Sequence, residues 1–125
     1  MSEAQSTSTK IFDSVKEALG VYTSDDSFDT EITMHINGAL ARVSQVGILK
    51  DMGYVITKDE EWVDIFNDDV KEESKFLAKQ FVFVTTKRLF DAPPPNTAAA
   101  MDALANEYLW RIEIEHPKEV TNNEL

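Results

Sequence analysis

Apolar residues recur at Phe28, Ile32, Ile36, Ala39, Leu40, Val43 and Val46, in steps of four and three across residues 25–47. That spacing traces one stripe of an α-helix. Asp29, Glu31, His35, Asn37 and Arg42 fill the polar side. Asp25, Asp26 and Ser27 offer N-cap oxygens, and Gly47 suits the left-handed position past the end. The pattern predicts a spine helix against which the others pack. A shorter helix precedes it over residues 10–19, with Ile11, Val15, Ala18 and Leu19 on one face and Gly20 as its stop. Ser8 or Thr9 would cap it.

Beyond Gly47 the pattern weakens. Residues 48–57 predict a loop with an extended piece at 54–56, half of a small hairpin whose partner the sequence does not name. Thr57 and Glu60 have capping-box spacing ahead of a short helix that turns Trp62, Ile65 and Phe66 inward. Trp62 reads as a core anchor. Asn67, Asp68 and Asp69 predict a break and a fresh N-cap. Residues 70–90 carry a conflict. Val70, Phe76 or Leu77, Phe81, Val84 and Leu89 permit a long helix, with acids early and Lys87 and Arg88 late, as the macrodipole favours. Yet the run FVFVTT at 81–86 is aromatic and β-branched, which is strand composition. Length and charge order favour the helix, one enclosed by neighbours within the fold or between subunits.

Pro93, Pro94 and Pro95 interrupt any helix and stiffen the joint. Asn96 or Thr97 would then cap a last helix whose stripe is Met101, Leu104, Ala105, Tyr108, Leu109 and Ile112. Trp110 lies roughly 160° from Ile112 at about 100° per residue, off that stripe. With Tyr108 and Arg111 it forms the residue mix enriched at protein–protein interfaces. The elements sum to an all-α fold: a small bundle of four to five helices, with a short extended segment around residues 48–57. A helical domain at 10–116 lies between flexible tails at 1–9 and 117–125.

Composition narrows the function. At 125 residues and 42% hydrophobic content, one domain with a true core is expected. The chain has no cysteine, which removes disulfides and thiolate metal sites. With no apolar run near ~20 residues and a polar N-terminus unlike a signal peptide, a soluble intracellular protein is expected. The net charge is −11, and residues 59–73 hold eight acids against one base, Lys71. Without clustered Lys and Arg, tight binding to a phosphate backbone lacks its driving force.

Catalytic patterns are missing. Gly20, Gly38, Gly47 and Gly53 match neither phosphate-loop nor dinucleotide spacing. Neither histidine has a triad-like neighbour, and the acidic stretches lack the ligand pattern of an EF-hand. Glu113 and His116 have the spacing of half a di-iron site, which needs a second such pair that two histidines do not supply. No enzyme, no cofactor and no metal are expected.

Several stretches together resemble one family. They are IFDSVKEALGV, SDDSFDTEITMHINGALARVSQVG, EEWVDIF and KRLFDAPPPNTAAAMDALANEYLWRIE. The last is the most specific: Arg88, Leu89, Phe90 and Asp91, a Pro-rich joint, then a helix closing on Glu107, Trp110 and Arg111. Across residues 10–115 the chain resembles the head–tail connector, or head-completion adaptor, proteins of tailed bacteriophages and prophages. It departs from that pattern at Ala92, where proline is usual, and in a longer N-terminal tail. The resemblance implies a structural protein without enzymatic activity, located in the virion neck and in the host cytoplasm during assembly. It implies a ring, commonly twelve-fold, beneath the portal protein. That ring extends the DNA channel and receives the next head-completion or tail protein. DNA would pass without specific binding, and no membrane is involved.

The candidate interface residues are Trp110, Arg111, Tyr108, Arg88, Lys87, Asp68, Asp69 and Glu72. The acids of 59–73 are expected on the channel side or at a subunit interface facing Lys75, Lys79, Lys87 and Arg88. A surplus of acid repels passing phosphates, and tails at both ends suit a subunit that orders on docking. The alternative is a small acidic regulatory or binding module resembling a helix-turn-helix, against which stand the charge and the lack of a basic recognition helix.

Overall fold

A computed structural model describes residues 9–50 and 55–116. Five helices follow one another there: α1 (Ile11–Ala18), α2 (Asp29–Ser44), α3 (Trp62–Ile65), α4 (Glu72–Phe90) and α5 (Pro95–Glu115). The all-α bundle agrees with the sequence pattern. Its centre does not: α4, rather than α2, is the helix on which the others converge. α2 packs on one side of α4, α5 lies along another, and α1 touches both α2 and α4.

That placement resolves the conflict over residues 81–86, which are helical. Phe81, Val82 and Thr86 are buried, while Phe83, Val84 and Thr85 are half-buried. A strand buries alternate residues, whereas an enclosed helix buries residues around most of its girth. Neighbours on several sides override the local strand preference. The inward residue early in α4 is Leu77, not Phe76, and Leu89 is exposed.

Helix ends differ in detail from expectation. Lys10 occupies the N-cap of α1, so Thr9 is not its cap; Ser8 lies outside the described residues. α2 begins after Phe28 without a side-chain cap, and Asp25 instead accepts the Ser27 N–H at 3.1 Å in a local turn. Phe28 is not core; it meets the Phe90 ring edge-on with centroids 5.3 Å apart. Past Ser44 the amides of Gln45, Val46 and Gly47 bond three residues back, tightening the end, and Gly47 turns the chain away at φ 97°. Glu61 and Asp64 form the capping box of α3, while the Thr57–Glu60 pair bonds one step earlier. Lys71, not residues 67–69, is the N-cap of α4. Pro95 is itself the first residue of α5, where its missing N–H costs nothing, so neither Asn96 nor Thr97 caps that helix.

The stretch around α3 straps the bundle from outside. The Ile11 N–H donates to Glu60 O and the Trp62 N–H to Thr9 O, at 3.0 and 2.9 Å. On the other side the Lys50 N–H donates to Ile65 O and the Asn67 N–H to Ile48 O, at 2.8 and 2.9 Å. The extended piece therefore lies at 48–50 and its partner is 65–67, with Leu49 bridged to Phe66. Tyr54 lies outside the described residues, and Val55 and Ile56 are in neither helix nor strand. The Asn67 side chain adds bonds to the carbonyls of Gly47 and Leu49. Trp62 is the core anchor its composition suggests: buried, stacked on Phe66 and edge-on to Phe83.

α5 stands apart in its packing. Only Ala98, Ala105 and Ile112 are buried, at intervals of seven, with Tyr108 and Leu109 packed beside them. Met101 is half-buried and Leu104 exposed, so the expected stripe is narrower than its sequence suggests. Ala18, expected inside α1, is exposed as well. Of the expected tails at 1–9 and 117–125 only Thr9 is described, and its carbonyl accepts the Trp62 N–H; the rest lie outside the described residues.

Candidate functional site

Two places gather polar groups into defined geometry. The first joins α1, α2 and residues 55–60. The Lys16 ammonium, buried, donates to Asp29 Oδ1 at 2.8 Å and to Thr23 O at 3.2 Å. Lys58 donates to Asp29 Oδ2 at 2.6 Å, so both carboxylate oxygens are engaged. Asp29 thus leaves the polar face assigned to it. Hydrogen bonds from Lys16 and then Lys58 hold its carboxyl below the ordinary carboxylate range, and the same bond raises Lys58.

That arrangement has a testable consequence. A folded-state pKa below the unfolded value contributes stability above the unfolded pKa of about 4, and the contribution is lost as pH falls through the folded value. Unfolding midpoints measured between pH 6 and 2.5 should fall at the acid end. Asp29→Asn should start lower at pH 6 and lose less on acidification. An equally steep acid loss in the variant would assign the effect to other carboxylates.

The second place is an open groove of about 530 Å³ between α2 and α5, floored by α4. Gly38 and Ala39 form one wall, Val84 and Leu89 the floor, and Met101 and Ala105 the other wall. Gly38 lacks a side chain where nothing lies within 4 Å, which keeps that wall open. Arg88 Nε reaches Asp102 Oδ1 at 3.1 Å across the groove. Arg42 sits on the α2 rim, exposed, with its guanidinium 5.2 Å from the Phe81 ring centroid. Among the described residues it has no carboxylate partner. Thr85 is among the lining residues, but its Oγ1 is itself buried and has no hydrogen-bond partner among the described residues.

The residues singled out by sequence fall into three groups. Trp110 is 60% exposed and points away from the bundle. Beside it Arg111 reaches Glu73 at 3.4 Å and Tyr108 leans on the core. Lys87 and Arg88 lie at the C-terminal end of α4, Lys87 near Asp91 at 3.9 Å. Asp68, Asp69 and Glu72 are exposed at its N-terminal end, where Glu72 pairs with Lys75 at 3.1 Å. Lys79 lies over the Trp62 ring. The structure brings Arg88 into the groove and keeps the acidic trio about one helix-length away. Sequence reasoning missed Arg42 and Thr85 because each sits on an ordinary helical face, and only the gap between α2 and α5 gives them a common surround.

Among the described residues no group of three or more His, Asp or Glu side chains could hold a metal ion, and no helix is long and apolar enough to cross a membrane. A family model described as phage connector protein matches residues 11–119. The chain belongs to that family. It is a phage connector, a virion component and a structural protein of bacteriophage type. Comparisons with curated proteins and with solved structures gave no match. The family match begins at the first residue of α1 and runs past α5, so all five helices and both polar gatherings belong to the connector domain.

Proposed function

We propose that this connector assembles as a ring beneath the portal at the capsid vertex, joins head to tail and extends the DNA channel. The observation that carries this reading is the family match across the whole helical domain. Family membership already implies contact with portal and tail components. The surface supports the finer statement in two ways. α5 is attached through one narrow stripe on α4, which leaves Trp110, Ile114 and Leu104 exposed along a rigid helix. Exposed aromatic and aliphatic side chains beside Arg111 suit contact with another protein. The net charge of −11 disfavours retention of DNA phosphates, as a conduit requires.

In this role the protein is a spacer and adaptor without catalysis or cofactor. It is made in the host cytoplasm and retained in the virion neck. Portal particles mixed with the protein should show one added ring of density by electron microscopy, with twelve-fold symmetry when the portal has it. Portal particles unchanged at saturating protein would overturn the proposal. The regulatory-module reading predicts strong duplex binding in a low-salt gel shift, where the connector reading predicts none.

A further inference from the structure

Two surfaces along α4 differ in charge. At its N-terminal end Asp68 and Asp69 are exposed carboxylates without a cationic partner among the described residues. Glu72 and Glu73 follow, and Phe76 protrudes 58% exposed in the next turn. At its C-terminal end lies the groove between α2 and α5. That groove has an apolar floor and, on its rim, Arg42, whose guanidinium lies over the Phe81 ring and has no carboxylate partner among the described residues. Asp68 and Asp69 precede α4, whereas Arg42 lies over Phe81 near the middle of that helix. Within one chain the two are not paired among the described residues.

We infer that they meet between chains: the acidic edge of one copy, Asp68, Asp69 and Phe76, seats in the α2–α4–α5 groove of the next. The inference rests on the ring assembly proposed above and names its subunit contact. Charge selects the occupant, since an exposed guanidinium lying over a ring still offers its N–H groups to a carboxylate. Shape agrees: a ring side chain fits an open apolar groove of this size, and a Cβ at position 38 would narrow it. Geometry adds the consequence. Two different patches on one chain can make a heterologous contact, which propagates head to tail and closes into a ring when the rotation permits. A symmetric dimer would have to make both contacts at once, each acidic edge in the other copy's groove, and would stop at two copies.

The cysteine-free chain makes the test clean. Asp68→Cys and Asn106→Cys are introduced singly and together, and a short bis-maleimide is applied to portal-bound and to concentrated free protein. The double variant should give a ladder of covalent multimers, a mixture of the two singles should stop at dimers, and each single alone should stay monomeric. On the double-variant background Arg42→Glu should cut the ladder about tenfold, and adding Asp69→Arg should restore it. Self-linking of a single variant as efficient as the double would overturn the inference. An added ring on the portal that yields no ladder would also overturn it, while leaving the connector reading intact. Absence of the ring would instead remove the proposed ring assembly. The contact is then judged in the free protein, where a ladder sustains it and monomers refute it.

Discussion

Phe81→Ala should lower the unfolding free energy by about 3–5 kcal/mol, the range for deleting a fully buried aromatic side chain. Phe81 has no exposed surface and lies at the crossing of α2 and α4, beneath Arg42. At about 4 °C per kcal/mol for a domain of this size, the midpoint should fall by roughly 12–20 °C. The companion variant is Phe83→Ala. In a strand Phe81 and Phe83 would share a face and cost alike, whereas in a helix they lie about 200° apart. Phe83 is half-buried, its ring edge-on to Trp62 at 6.0 Å between centroids. Its truncation should cost less than half as much. Equal losses, measured by chemical denaturation with helical content followed by circular dichroism, would contradict the burial of α4 described above.

The same residues show where sequence was informative. The stripe of Ile32, Ile36, Ala39, Leu40 and Val43 has one period and one outcome, and all five are buried in α2. Its acids and apolar positions left no competing reading. Residues 81–86 carried two signals, and only the enclosure of α4 by its neighbours decided between them. Identifying α4 as the centre was beyond periodicity, because which helix is surrounded depends on packing between elements distant in sequence. Helix starts were misassigned for a related reason. Thr9, Asp25, Asn67 and Thr97 all have good capping chemistry, but Lys10, Phe28, Lys71 and Pro94 hold those positions; a bridge to Glu61 holds Lys10, and the proline joint sets the start of α5.

The surface divides in the same way. Trp110 was recognisable because an aromatic residue off its own helix's stripe is an anomaly in one dimension. The Arg42 groove was not, because its walls come from residues 38–42, 84–89 and 101–106. Asp29 shows the opposite error. A carboxylate on a helical polar face reads as solvated, yet Lys16 and Lys58, thirteen residues before and twenty-nine after it, enclose it. Long-range partners leave no periodic trace.

Trp62→Ala should be as damaging as Phe81→Ala, costing about 3–5 kcal/mol, but through a different part of the molecule. Its ring links three elements: it stacks on Phe66, meets Phe83 of α4 and donates its indole N–H to Ser14 Oγ of α1 at 2.9 Å. The Lys79 ammonium covers it 5.8 Å from the ring centroid. Truncation removes the contact through which α3 holds residues 9–11 and 48–50 to the bundle, so loss of local protection should accompany the loss of global stability. Trp62→Phe keeps most of the packing and removes the hydrogen bond, at about 1 kcal/mol. Ser14→Ala leaves the buried indole N–H unpaired and should cost about 1–3 kcal/mol. The double variant should then cost less than the sum, since both changes act on one bond. Fluorescence supplies an independent readout because the chain has only two tryptophans. Trp62 is 5% exposed and Trp110 is 60% exposed. Native emission should therefore be a blue component from Trp62 over a red one from Trp110. Trp62→Phe should abolish the blue part while the fold persists, and Trp110→Phe should leave it with stability nearly unchanged. A Trp62→Phe variant that keeps blue-shifted emission would place Trp110 in the core and contradict the exposed face of α5 on which the proposed contacts depend.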